Sequence, residues 1–586
     1  MTANRKIFGL ILLLIPILTL LHYSDGIIRD RQFINYDDLG LIKPMLDKPF
    51  TQYFSEWLPD RNHHAYPLRD VTYFIDQWLS EQTGIPFYWI TQIALLVATL
   101  IASARLLQTL LPQSQGLVLC LLLILALHPL NIEIVQWLMS RKHLMALLFL
   151  WFATAVVFAR ARQHAALSKK EWWLCATLYL ASLLSFPTGL LWMPWALWMQ
   201  RQELQARPKV RLILWACAGF CIALYLRLTT TGEADYGNSL TSLLMGEKAS
   251  RTVFFTWNSL GRGFWNLLFP FQLAPFYNEG SILTGWGILA LFFCTGAWFR
   301  LVTEPEDRRM GRDLSLLIGA ILGPSALVFL GFPDFVWADR YGFTILPAVL
   351  ALLGLALKQV NFQEQKKFGF AIALLTIWLV ASVGVTAQRV PLWRNAITLM
   401  SECARHEQSP KCVIQTAQRE IHQRGCGPIQ DILEIGRKIF PTRSPHSTEF
   451  GSEMPFYDAI CIALAKNISP DEKLQKLPYL FDQYAGAGEI MFSIILAQLQ
   501  AGRIESAFSD AKSYFLNGDP RPLISARNTI NIYRGASQAL CELVKNPDCL
   551  RRRHQFLASN RQTPLDKGYI NWGYNLIMTM ANAKKE

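Results

Sequence analysis

The feature that most limits what this chain can become is a recurring series of apolar runs, separated by short loops rich in Lys and Arg. The runs fall at 7–22, 87–110, 116–129, 143–159, 172–186, 188–200, 211–228, 281–299, 314–331, 341–357 and 369–387. An upright transmembrane helix needs about 20 predominantly apolar residues, so several of these runs have soft ends. Run 188–200 is the weakest, because Phe186-Pro187-Thr188-Gly189 reads equally as a tight turn or as a kink. The expectation is an all-α polytopic bundle of about eleven helices. Only 17% of the residues are charged, against about 25% in soluble domains, which supports that class. The net charge of +13 invites a nucleic-acid partner, but the basic residues sit between apolar runs, as topology determinants do. The reading is therefore no nucleic acid. The first run follows Arg5 and Lys6 without a small-residue cleavage site, so it reads as an uncleaved first helix.

The charges also orient the bundle. Arg160, Arg162, Lys169 and Lys170 fall in one loop, and Arg201, Arg207, Lys209 and Arg211 in the next. Arg300, Arg308, Arg309 and Arg312 fall in a third, and Lys358, Lys366 and Lys367 in the last. Placing these loops inside satisfies the positive-inside rule with an odd number of spans. The amino terminus is then cytoplasmic and the carboxyl-terminal segment external. Two large loops are left outside, 23–86 and 229–280; the Trp-rich piece 252–270 of the second reads as lying in the membrane interface.

From about 388 the long apolar runs stop. Apolar residues at helical spacing in 411–424, 455–466, 488–499, 502–516 and 533–545 predict a soluble, mostly helical domain over 391–586. Gln500-Ala501-Gly502 resembles the turn of a helical-hairpin repeat, though no fixed period emerges. Cys403 with Cys412, and Cys541 with Cys549, are close enough in sequence for short-loop disulfides if the domain is external.

Four polar elements share the outer side of this topology. Asp37 and Asp38 follow the first run; they read as a solvated turn, as a helix cap, or as a general base with a supporting acid. Arg69, just after Pro67, suits a bidentate contact with a phosphate or with lipid headgroups. His128 and Glu133 read as a polar pair, a metal-ligand contribution or an acceptor-binding pair, and His128 alone as a satisfied helix-end histidine. Arg141 and Lys142, with His143 next to them, lie outside against the charge trend, and an anionic ligand is the natural reason. Asp339-Arg340 reads as a phosphate clamp or as an ion pair capping its helix.

At these residues the chain resembles the C-type (GT-C) glycosyltransferases that use polyprenyl-phosphate sugars, nearest to the transmembrane and tetratricopeptide-repeat O-mannosyltransferase-like proteins. The resemblance covers roughly residues 30–400. Tyr36-Asp37-Asp38 is similar to the family's first-loop acidic motif. Pro67-Leu68 keeps part of its Arg-Pro-Leu segment, with Tyr66 before the proline and Arg69 after it. His128-Pro129, Glu133 and Ser140-Arg141-Lys142 resemble its His-Pro…Glu…Gly-Arg stretch, with Ser140 for Gly. Asp339-Arg340-Tyr341 matches its late Asp-Arg-Tyr motif, and Trp393-Arg394-Asn395 its junction into the repeat domain. Leu184-Ser185-Phe186-Pro187-Thr188 stands where the family has Ser-Lys-Glu, without either charged residue.

The resemblance implies a GT-C-like catalytic domain over 1–390 and a possibly tetratricopeptide-like periplasmic domain over 391–586. It implies inverting sugar transfer from a lipid-linked sugar phosphate to a hydroxyl, with Asp37 or Asp38 as base or acceptor-orienting acid. Arg141 and Arg340 would bind the donor phosphate with Arg69 and Lys142, supported by His128, Glu133 and Asp339. The pattern demands no divalent metal. The leading expectation is protein O-glycosylation at a bacterial inner membrane, the partners being a polyprenyl-phosphate sugar, a periplasmic acceptor protein and membrane lipids. The same chemistry on a lipid or surface glycan, a transporter or flippase, and a non-catalytic scaffold are the competing readings.

Overall fold

The computed structural model describes residues 42–53, 66–205, 247–277, 282–331, 338–359, 365–409, 426–439 and 468–483 in continuous runs, with shorter pieces that include 17–19, 21–23 and Asp38. Expectations on Asp37, Cys549 and most of 7–22, 211–228, 455–466, 488–499 and 502–516 lie outside the described residues. The chain divides into two compact units, Met1–Leu399 and Met400–Glu586. The divide falls beyond 390 because Val390, Trp393 and Leu399 pack into the core of the first unit.

In the first unit the helices are α1 (Pro67–Thr83), α2 (Phe87–Leu110), α3 (Gln115–Leu127), α4 (Asn131–Gln136), α5 (Arg141–Arg162), α6 (Lys169–Ser185), α7 (Trp192–Met199), α8 (Glu247–Leu268), α9 (Ile282–Leu301), α10 (Pro305–Gly331), α11 (Asp339–Leu357) and α12 (Gln365–Arg389). No strand occurs among the described residues. Among the described residues five stretches are long and apolar enough to cross a membrane: Phe87–Leu110, Leu138–Arg162, Ile282–Leu301, Asp339–Leu357 and Ile372–Arg394. The chain is thus an all-α, polytopic, apparently membrane-spanning protein. Side chains such as Phe293 on α9 and Val380 on α12 are 78% and 68% exposed. Water would not tolerate so much contiguous apolar surface, whereas lipid does. By contrast α5 and α11 are buried along most of their length and form the centre.

Run 188–200 is corrected: it is no single spanning helix. A 3-10 turn at Pro187–Gly189 leads into α7, which has eight residues. At about 1.5 Å per residue that helix is far shorter than a bilayer core. The broken segment still runs beside α6, since Tyr179 Oη donates to the Leu190 carbonyl (2.9 Å) and the Leu167 N–H donates to Gln200 Oε1 (3.1 Å). The expected start of run 314–331 also moves, because α10 begins at Pro305 within a basic loop.

The arginines of the basic loops close helix ends. Arg162 donates to the Thr109 and Leu110 carbonyls at the end of α2, and Arg309 to the Ala161 carbonyl of α5. Arg308 donates to the Val302 carbonyl after α9, and Lys358 pairs with Asp307 at 2.9 Å. Carbonyls in the last turn of a helix have no intrahelical partner, and a cation there meets the negative end of the dipole. Helices α2, α5, α9 and α11 therefore all finish at one basic end.

Helix α8, the Trp-rich piece expected to lie in the interface, crosses α9 where Gly261 meets Thr284 and Gly287. A Cβ on Gly287 would strike the Gly261 backbone and lie 3.2 Å from the Trp265 Cβ, whereas one on Gly285 would meet open space. Such close approach of backbones is what glycine permits between apolar helices.

In the second unit the described residues are mostly helical, with α13 (Ala396–Glu407) entering it and α14 (Gln430–Ile439) and α15 (Pro470–Gln483) following. Cys403 and Cys412 are bonded as expected, and Cys426–Cys461 is a second disulfide that spacing did not suggest. Cys541 is also disulfide-bonded.

Gly287→Ala is expected to destabilise the first unit by about 1–3 kcal/mol through overpacking, and Gly285→Ala to leave it nearly unchanged. Thermal unfolding of the two variants in one detergent checks this, and equal melting temperatures would contradict the crossing.

Candidate functional site

The site is built on a segment that the sequence presented as a short external loop. Every residue from His128 to Arg141 is buried. The chain leaves α3 at His128, forms α4, turns through a 3-10 segment at Leu138–Ser140 and enters α5. Irregular backbone within a bundle needs partners for its carbonyls, and side chains supply them here. Asn131 Nδ2 donates to the Leu125 and Ala126 carbonyls at 2.7 and 3.1 Å. Gln92 of α2 donates to the Ile134 carbonyl at 2.6 Å, and Tyr73 of α1 to that of Leu138 at 2.6 Å.

His128 is the helix-end histidine among the readings open for it. Its Nδ1 accepts the Leu130 N–H at 3.2 Å and its Nε2 meets the Leu267 carbonyl at 3.1 Å. The first contact fixes the proton on Nε2, which then caps the end of α8.

Glu133 and Arg340 form a buried ion pair, although 207 positions separate them. The second carboxylate oxygen of Glu133 accepts the Arg340 main-chain N–H at 2.9 Å. Helix α11 has Ala338 at its N-cap and no side-chain cap of its own, so Glu133 caps it from α4. The acid paired with Arg340 is thus not its neighbour Asp339, which corrects that expectation. Asp339 Oδ1 instead accepts from Tyr277 Oη at 2.7 Å and Asn266 Nδ2 at 3.0 Å, tying α11 to α8 and the segment after it. The Arg340 guanidinium lies over the Trp137 ring, 4.7 Å from its centroid.

Asp38 is fully buried, and its Oδ1 accepts the Met139 main-chain N–H at 3.3 Å. Asp38 and Arg340 therefore engage residues two positions apart on one stretch. Arg69 donates to the Met139 sulfur at 3.6 Å and pairs with Asp70. Asp70 Oδ2 in turn accepts from Tyr53 Oη at 2.8 Å and from the Tyr66 N–H at 3.1 Å. Sequence reading did not single out Asp70, which locks Arg69 at the start of α1. Burial raises the Tyr53, Tyr66 and Tyr73 phenols above their ordinary value, so all three are neutral at neutral pH.

Arg141 is enclosed by protein. It donates to Gln92 Oε1 at 3.2 Å, Thr72 Oγ1 at 3.0 Å and the Tyr88 carbonyl at 2.8 Å, and it pairs with Asp76 at 2.5 Å. The resemblance implied a donor-phosphate contact for this residue, but here its guanidinium fork joins α1, α2 and α5. Asp76, the acid it needs, lies on the buried face of α1 at helical spacing from Arg69 and Tyr73, the signal that points to it in sequence. Burial raises the Asp76 carboxyl while Arg141 pulls it down. Lys142 lies over the rings of Phe186 and Tyr66, at 4.9 and 5.1 Å. His143 packs on Phe186, with ring centroids 4.3 Å apart, and is fully buried.

The four elements expected on one side therefore meet at the end of the bundle opposite the basic loops, except Asp37, which lies outside the described residues. Among the described residues no group of three His, Cys, Asp or Glu is arranged to hold a metal. In comparisons with known proteins, no family model, no curated protein and no solved structure matches this chain.

Arg141→Met is expected to cost about 3–5 kcal/mol, because it strands Asp76 as a buried charge. Adding Asp76→Asn should recover part of that loss. Unfolding of the single and double variants measures it, and a single variant as stable as the wild type would refute the clamp.

Proposed function

We propose that this chain is an inverting glycosyltransferase of the GT-C type, moving a sugar from a polyprenyl-phosphate donor to a hydroxyl of a protein outside the cytoplasm. The supporting observation is that an acid at 38, an acid–arginine pair at 133 and 340 and a lysine at 142 converge at one end of the bundle. That end lies opposite the arginine-capped basic loops. By the positive-inside rule the basic end is cytoplasmic and the acidic site external. The disulfides of the second unit fit an oxidising compartment such as a bacterial periplasm.

In this reading Asp38 takes the proton of the acceptor hydroxyl as its oxygen attacks the anomeric carbon. The bond from that carbon to the phosphate oxygen breaks on the opposite face, and its electron pair stays on the phosphate. Arg340 and Lys142 stabilise the charge that develops there. Asp37 supports the acceptor. Arg69 and Arg141 hold α1 and α2 against the buried segment, which positions Asp38 rather than binding substrate. The helical second unit, tetratricopeptide-like in this reading, presents the acceptor protein.

Asp38→Asn keeps the shape of the side chain and removes its basicity, and is expected to lower transfer by about 10²–10⁴-fold. The measurement is radiolabelled sugar transfer from a polyprenyl-phosphate donor in membranes, with folding checked by elution profile. Transfer at the wild-type rate would remove Asp38 from the mechanism.

A further inference from the structure

Buried polar atoms without a hydrogen-bond partner ask for a ligand when they gather in one place. Four such atoms belong to the stretch from Trp137 to His143: Trp137 Nε1, Ser140 Oγ, His143 Nδ1 and His143 Nε2. All three residues are buried, Ser140 and His143 completely. Around them the structure sets cations and aromatic walls. Arg340 covers the Trp137 ring, and Lys142 reaches across Phe186. His143 is packed between Phe186 and Tyr341, whose ring lies 5.8 Å away, and is within electrostatic reach of both Lys142 and Arg340.

We infer that Trp137, Ser140 and His143 form an uncharged hydrogen-bonding wall for a phosphate group held between Arg340 and Lys142. The indole N–H can only donate, the hydroxyl donates readily, and a neutral imidazole carries one N–H. A wall of donors flanked by two cations suits an oxyanion with several acceptor oxygens and repels a metal ion. Lys142 and Arg340 supply the attraction, and the neutral donors supply the geometry. His143 is the new residue in this assignment: it sits in the first turn of α5, where its ring can replace water around a phosphate oxygen. The phosphate belongs either to a polyprenyl monophosphate or to an ordinary lipid headgroup. Choosing the first rests on the transferase reading above.

The test uses the purified full-length chain in detergent, with radiolabelled polyprenyl monophosphate as the probe and phosphatidylglycerol and inorganic phosphate as competitors. His143→Phe keeps the ring packing and removes the donor. Loss of one hydrogen bond to a charged group corresponds to about a tenfold to hundredfold weaker dissociation constant. His143→Gln, which keeps an N–H, should restore most of the binding. If His143→Phe does not elute as a folded protein, Ser140→Ala removes a donor with little change of volume and should weaken binding by about threefold to tenfold. Wild-type affinity in a folded His143→Phe variant, or no saturable binding by the wild type, overturns the wall. Competition by phosphatidylglycerol that vanishes in His143→Phe supports the wall and assigns it to bilayer headgroups. A sugar-transfer assay on the same preparations separates the two readings. His143-dependent binding without any transfer keeps the wall and removes the transferase. Transfer with an unchanged donor KM in His143→Phe keeps the transferase and removes the wall.

Discussion

The Glu133 carboxylate accepts from the Arg340 guanidinium on one oxygen and from the Arg340 main-chain N–H on the other. Those two contacts set the height of α11 against the buried segment before α5. Glu133 also belongs to the six-residue helix α4, whose other residues are all buried. Moving the carboxylate would move Trp137 beneath Arg340 and, two positions on, the Met139 N–H that holds Asp38. A buried ion pair is not by itself a source of net stability. Its value here is registration: one acid fixes where three separate parts of the chain meet.

The same segment shows how an interior without regular structure is kept stable. The carbonyls exposed by the breaks between α3, α4 and α5 are answered by Asn131, Gln92 and Tyr73, each from a different helix or turn. Hydrogen-bonded order therefore spreads outward from the segment into α1 and α2. The basic end uses the complementary arrangement, with arginine side chains reaching the carbonyls of the last helical turns. Main-chain carbonyls at both ends are thus met by side chains, and an apolar core packs between them.

Much of the bundle was legible because lipid imposes a simple rule on sequence. A helix that crosses it must be apolar for most of its length, and 87–110, 281–299 and 341–357 are visible at once. The stretch 128–143 was harder, since its mixture of His, Asn, Glu, Arg and Lys is the composition of a loop, and only a partner elsewhere makes it bury. Arg340 illustrates the difficulty. Asp339 stands beside it in sequence, but successive residues on a helix point about 100° apart, and the acid that reaches the guanidinium comes from another helix. Asp70 and Asp76 were legible only as polar residues on one face of α1, whose outward face carries the exposed Ile75 and Trp78. That polarity pattern is the reverse of a soluble helix. The candidate residues at 38, 133 and 340 were singled out by their chemistry, their shared outer side and motif likeness, and the contacts between their segments came from the structure.

The tether on Asp38 is a main-chain N–H, while the Met139 side chain answers separately to Arg69. Nineteen of the twenty amino acids would offer the acid the same donor, and only proline lacks it. Evolution can therefore vary the side chain at 139 without releasing the carboxylate. What this contact constrains at residue 139 is the path of the backbone and not the side chain.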